Sequence, residues 1–308
     1  MKKILILSLI LTGCFGCSSE SPNVVKKVVL LKQSGLAKSF SLIDSSYNDT
    51  TVENSVVNFK GDIISFFDPH VNGDFYSASI YNLNEQKPLM KGIRFPYTLN
   101  HNNILYNFGL VNGDIYLWKS LNGLSWSLIN NGLPVLKRNL DPTSIYYQIW
   151  NVGVDIDKNG VWHLLVESDK YSANQDGVGL AYSYATMNND VIDFNTNITN
   201  HHVIKNAGNP YIKALDQGLL IIHGQINDPN EFFGGNNYWY ITASTFDFTT
   251  WKTNKDFLMG YENIHICDPH LVETSDNKTI ISFSYNQITT YLMESELSLQ
   301  ELYLILKE

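Results

Sequence analysis

The sequence predicts an all-β protein, a single five-bladed β-propeller, on three observations. Its 39 aromatic residues and many β-branched ones alternate with turns built from Asn, Asp and Gly, and no stretch sustains a helical period. A polar opening, an apolar strand, a Gly- or Asn-bearing turn and a second strand recur at residues 148–167, 207–226 and 263–287. The openings keep step, with 58 residues from Asn151 to Asn209 and 59 from Asn209 to Asp268. Repeats of that length built from short strands are the signature of propeller blades.

Taken in order, the chain begins M-K-K-I-L-I-L-S-L-I-L-T-G-C, two lysines before an apolar run too short to span a bilayer as a helix. Leu11-Thr12-Gly13-Cys14 matches a bacterial lipobox, so residues 1–13 are expected to be a lipoprotein signal peptide. Cys14 is then the lipidated first residue, tethered through residues 14–24 to a propeller at 25–308. The expected partner at this end is a lipid bilayer, and the location exported. Phe15 after the cysteine is not the Asp that favours inner-membrane retention, which points to the outer membrane or cell surface.

Loss of residues 1–13 removes Lys2 and Lys3 and no acid, moving the formal charge from −9 to −11. An acidic body without a basic run argues against nucleic acid as a partner, because phosphate binding depends on clustered Lys and Arg. Cys17 falls in the tether and Cys267 in an Asp-Pro-His segment, where a buried structural thiol is expected.

Residues 25–33 form a strand without a local partner, expected to pair with the last blade and close the ring. Residues 56–67 read as a hairpin turned at Lys60-Gly61-Asp62, and 75–81 adds a strand. The second unit turns at Asn112-Gly113-Asp114; the third runs from Trp150 through 179–186; the fourth starts at Asn209 and continues through 238–251; the fifth starts at Asp268. After each third strand a hydroxyl residue and an Asp or Asn precede a large apolar one, as in Ser120…Asn122…Trp126, Thr186…Asn189…Phe194 and Ser244…Asp247…Trp251, more weakly Ser295…Leu302. The polar residues cap a tight turn and the apolar residue packs between sheets.

Five blades, polar openings of the Asp-Pro or Gly-Asn-Pro kind and the Ser…Asp…Trp turns together resemble the five-bladed propeller glycoside hydrolases, the superfamily of families 43, 62, 32 and 68. The resemblance implies a glycan-processing enzyme whose carboxyl groups meet in a central funnel, one donating a proton, one activating water or attacking the sugar, and a third tuning the donor. Asp268 opens the fifth inner strand before Pro269, where it either points inward or caps a turn. Glu167 ends the apolar run W-H-L-L-V-E, where burial would raise its pKa, or else it is an exposed strand end. Asp68 repeats the Asp-Pro-His triplet, but after a second strand, which departs from the pattern. These three are the expected catalytic acids. The first blade shows no Asp at its opening.

Trp150, Asn151 and Asn209 open inner strands and are expected to bind sugar, with His270, His223 and Asp228 as further contacts. Residues 155–160 imitate the start of a calcium loop, but position twelve is Val166 and strands flank the segment, so a hairpin turn is expected. His70, His163, His223, His265 and His270 show no zinc-ligand spacing. No cofactor is expected; an axial calcium ion, present in some of the resembled enzymes, would suit His270 or His223. The rival reading is a lipid-anchored propeller that binds glycan or protein without catalysis, since fold alone does not decide function.

Overall fold

The computed structural model describes residues 31–44, 53–69, 74–80, 82–170, 177–226, 239–261, 264–285 and 289–308. Five antiparallel sheets follow one another along the chain. Blade one holds Ser55–Phe59, Asp62–Phe67, Asp74–Ser79 and Asn82–Lys91; blade two holds Arg94–His101, Ile104–Val111, Asp114–Ser120 and Ser127–Leu128. Blade three holds Gln148–Ile156, Val161–Asp169, Gly179–Thr186 and Ile204–Lys205, and blade four Ala207–Leu215, Gly218–Gln225, Tyr240–Phe246 and Trp251–Tyr261. Blade five takes Ile266–Glu273, Thr279–Tyr285 and Thr289–Ser295 from the C-terminal half, and a nine-residue helix, Leu299–Lys307, follows. In each blade the first strand is innermost, and the five inner strands neighbour one another around the axis.

The expected turns form for the expected reasons. Lys60-Gly61 and Asn112-Gly113 both take positive φ, the geometry of a two-residue hairpin turn whose twist matches the flanking strands. The calcium-like segment is a hairpin turn in which Asp157 Oδ1 accepts from the backbone N–H of Asn159 and Val161. Asn122 accepts from Leu124 and Ser125, and Asp247 from Thr249 and Thr250, each 2.7–2.9 Å, so both cap the turn before their aromatic residue.

The aromatic residue after each such turn binds its blade to the one before it. Trp126 of blade two stands edge-on to Phe66 and Phe75 of blade one; Phe194 of blade three meets Phe108 of blade two; Trp251 of blade four meets Tyr182 of blade three. Pairs of this kind contribute about 0.5–1.5 kcal/mol each beyond the area they bury. Blade five keeps the rule by another route, since Leu302 sits fully buried in the helix, which packs on blade four. Ser298 starts that helix with a capping box to Glu301.

The ring closes differently from the expectation. Leu31–Gly35, which contains the end of the expected strand 25–33, pairs with Trp251–Tyr261 and widens blade four to five strands. The fourth strand of blade five is Ser41–Asp44, paired with Thr289–Ser295. The N-terminal segment therefore covers two neighbouring edges instead of one, and blade five is assembled from both ends of the described chain.

Candidate active site: an acidic mouth on the propeller axis

The inner strands share an opening. Register breaks fall at Phe95-Pro96, Trp150-Asn151, Asn209-Pro210 and Asp268-Pro269, and blade one enters through Glu53-Asn54. Glu53, Phe95, Asn209 and Asp268 all hold φ between 48° and 52°, a region costly for side chains other than glycine. Four blades thus spend backbone strain at one level of the axis, and each bulge turns a side chain toward it.

Two of these residues are acids, and a third joins them. Glu53 and Asp268 line a narrow mouth with Asn151, Asn209 and His270, and Glu167 stands behind Asn151 and Asn209; each of the three acids is less than a tenth exposed. Glu167, on the second strand of blade three, accepts from Asn151 Nδ2 at 3.0 Å and from the Asn209 backbone N–H at 2.9 Å. The Asn209 side-chain amide donates to Asp268 Oδ1, so one residue bridges the two carboxyl groups and holds them within about 10 Å of each other. Asp268 Oδ2 accepts from Ser284 Oγ at 2.6 Å and from Cys267 Sγ at 3.3 Å.

Crowding three acids into a covered site has electrostatic consequences. Burial pushes the Glu167 carboxyl up to about 7; the amides of Asn151 and Asn209 oppose this and the Asp268 charge adds to it. Glu53 is driven well above the usual carboxylate range, first by burial, then by the charges of Asp268 and Glu167, by its hydrogen bond to Asp268 and by Asp68. A protonated Glu53 donating to Asp268 is the arrangement those causes describe. Burial, with the charges of Asp268 and Glu53, also pushes the Cys267 thiol up, and the residue is buried as the structural thiol expected there.

Close packing fixes the Glu167 carboxyl in place. A Cβ at Gly208 would lie 2.6 Å from Glu167 Cδ and 2.8 Å from the Trp239 ring, so glycine there lets strand, carboxyl and indole meet.

The remaining expected residues distribute as follows. Asn151 and Asn209 reach the mouth, held by the acids, and Trp150 is half-buried at the same opening. Asp68 is fully buried beside the cluster, with one oxygen 2.9 Å from Arg94 Nε. His223 is fully buried, its ring nitrogens bonded to the Gly224 carbonyl and to Ser244 Oγ, which makes it a core histidine away from the mouth. His270 sits on the axis between the rings of Tyr97 and Tyr211, at centroid distances of 5.2 and 4.5 Å, and burial pushes it down to about 3. His223 is held by a carbonyl and a hydroxyl in the core, and although His270 reaches the acidic mouth, no group of three or more His, Cys, Asp or Glu that could hold a metal occurs among the described residues. The residues present do not fit an axial calcium ion. Cys14, the signal segment 1–13, the tether 14–24, His70 and Asp228 lie outside the described residues.

Glu53 is the site residue missed in the sequence. It occupies the place where blade one was expected to present an acid, but V-E-N-S lacks the proline that marks three of the other openings. Aligning each opening to the first paired residue of its inner strand would have found it.

No protein-family model matches the chain, and no curated protein is similar to it in sequence. Solved structures are similar in fold. A xylan β-1,4-xylosidase from Bacillus halodurans matches with a TM-score of 0.58 at 12% identity, over 85% of this chain and 56% of that one. A thermostable family-43 glycoside hydrolase matches at 0.57 and 10% identity, over 82% and 90%. An endo-1,4-β-xylanase from Bacteroides thetaiotaomicron matches at 0.54 and 11%, over 80% and 90%. At such identities the likeness is one of architecture, and this chain's five-bladed propeller is the fold on which those glycoside hydrolases are built.

Proposed function

We propose that the protein hydrolyses a glycosidic bond at the acidic mouth. The observation that carries this reading is a carboxyl held near pH 7, Glu167, bridged through Asn209 to a second carboxyl, Asp268. Glycoside cleavage needs such a pair, one group protonated at working pH and one ionised, within roughly 5–10 Å of each other. In this reading Glu167 delivers its proton to the leaving oxygen, and Asp268 activates water or attacks the sugar. Glu53, driven upward by burial and by the charges of Asp268 and Glu167, stands as a hydrogen-bonding neighbour of Asp268. Asp68 stands behind them, its charge adding to the field on Glu53. Asn151, Asn209 and Trp150 would contact the sugar, the last by stacking.

The lipobox at Leu11-Thr12-Gly13-Cys14 supports placing this activity on an exported, lipid-anchored protein facing glycans from the outer membrane or cell surface. A second reading, a propeller that binds glycan or protein without cleaving it, is favoured by one observation: all three acids are nearly covered, and Glu167 stands behind the residues that line the narrow mouth.

The deciding test uses the soluble chain beginning after Cys17, assayed on aryl glycosides and on plant and microbial polysaccharides. Turnover that falls at least a hundredfold in both Glu167→Gln and Asp268→Asn, as expected for loss of acid–base groups, supports hydrolysis. No turnover by the parent, with retention of a sugar on a glycan array, supports the binding module.

A further inference from the structure

Below the plug formed by Tyr97, His270 and Tyr211 the axis opens again, toward the face opposite the acidic mouth. The chamber there has a volume of about 330 Å³, within the roughly 300–1,000 Å³ range of small-molecule pockets. Every blade contributes a polar residue near the end of its inner strand: Asn58, Asn100, Asp155, Lys213 and Glu273. Counted from the shared opening, Asn58, Asn100, Asp155 and Glu273 hold the same position. Ala214 holds it in blade four, where Lys213 reaches in from the position before.

The charges in this ring are already compensated. Lys213 Nζ lies 3.0 Å from Asp155 Oδ2, which also accepts from the Ala214 N–H at 2.8 Å. Glu273 Oε2 accepts from the Leu299 N–H at 3.0 Å, at the positive end of the C-terminal helix. What remains is an excess of oxygen acceptors. Asn100 gives an amide N–H to the Asn58 carbonyl at 2.7 Å, while its Oδ1 is covered by protein atoms and does not open on the chamber. The second oxygens of Asp155 and Glu273 offer lone pairs, while Leu99, Val154, Leu215 and Val272 supply apolar walls.

We propose that this chamber is a second ligand site, separate from the acidic mouth, which takes a small neutral polyhydroxylated molecule of one or two sugar rings. Hydroxyl groups supply the donors that the oxygens lack, and ring C–H faces meet the apolar walls. A cation fits less well, because both carboxylates already have positive partners. The proposal stands whether or not the acidic mouth is catalytic.

The test is titration of the soluble chain with D-glucose, D-galactose, D-xylose and L-arabinose, followed by calorimetry and saturation-transfer NMR, beside ethylenediamine as the cationic probe. At least one sugar should bind, and its affinity should be unchanged in a Glu167→Gln/Asp268→Asn double variant. It should fall at least tenfold in Asn58→Leu, which removes a polar side chain from the rim, and in Leu215→Trp, which fills the volume without touching a hydrogen bond. Unchanged melting temperatures identify variants that fold. Binding lost in the double variant but kept in both chamber variants, binding of ethylenediamine but of no sugar, or binding of no probe at all would each overturn the proposal.

Discussion

Glu167 in blade three and Asp68 in blade one both follow the apolar run of a second strand, Glu167 still within its strand and Asp68 just past the end of its own, and their surroundings could hardly differ more. Val152 and Ser55, the first residues past the shared opening, pair with Val166 and Phe66. By that register Phe67 stands where Glu167 does, and Asp68 falls one residue further on. A shift of one residue turns a side chain to the other face of a strand. Glu167 consequently meets neutral amides and a buried neighbour of like charge, while Asp68 meets the guanidinium of Arg94. One environment keeps a proton near neutral pH; the other secures an ion pair. Which acid can transfer a proton is therefore set by register and partner, more than by the apolar run that precedes it.

The largest effect that would sharpen this contrast is on turnover. Glu167→Gln should lower kcat by about 10²–10⁴, the usual worth of a general acid, whereas Asp68→Asn should stay within tenfold. Equal losses in both, measured on one aryl glycoside, would erase the distinction. Gly208→Ala comes next. Its new methyl collides with the Glu167 carboxyl and should displace it, costing about tenfold to a hundredfold in kcat with little change in KM.

The pH dependence follows. As a proton donor held near 7, Glu167 should give an activity profile whose alkaline limb falls as pH rises through about 7, and that limb should vanish in Glu167→Gln. Stability carries the same signature. The folded protein holds a proton at Glu167 that the unfolded chain releases near its ordinary value of 4.5, so the folded state binds more protons between about 4.5 and 7. Stability should fall across that window by up to a few kcal/mol, and Glu167→Gln should flatten the slope in urea titrations at pH 5 and 7.5. The smallest effect is at the ion pair. Arg94→Leu should destabilise by about 1.5–3 kcal/mol, the worth of a charged hydrogen bond to a buried group, with the activity profile keeping its shape. A shifted alkaline limb in Arg94→Leu would show that Asp68 belongs to the proton-holding group after all.

What was legible in the sequence followed the repeat. Gly-Asn-Pro and Asp-Pro mark bulged openings because proline follows naturally where a strand gives up a ladder hydrogen bond, and they led directly to Asn209 and Asp268. The large apolar residue after each capped turn was legible too, since Trp126, Phe194 and Trp251 each need a neighbouring sheet to cover them. Glu53 was not, because its opening lacks that proline and blade one is spaced differently from the others. Ser41–Asp44 was not legible as a closing strand either. Four residues, S-L-I-D, carry too little pattern, and edge pairing is decided by which sheet has an edge free. The ring of Asn58, Asn100, Asp155 and Glu273 escaped for a third reason: polar residues near strand ends look like ordinary surface until the strands are gathered round an axis.

Joining Ser41–Asp44 to Thr289–Ser295 has a kinetic side. The partners lie roughly 250 residues apart, and the length-dependent part of the entropy lost in closing such a loop is about 5 kcal/mol. Blades can form and dock singly, but the last sheet is incomplete until the two distant segments meet, so the slowest folding step should be this closure. Until it happens the third strand of blade five offers an open edge to any passing strand, and aggregation during refolding should compete with closure in proportion to concentration.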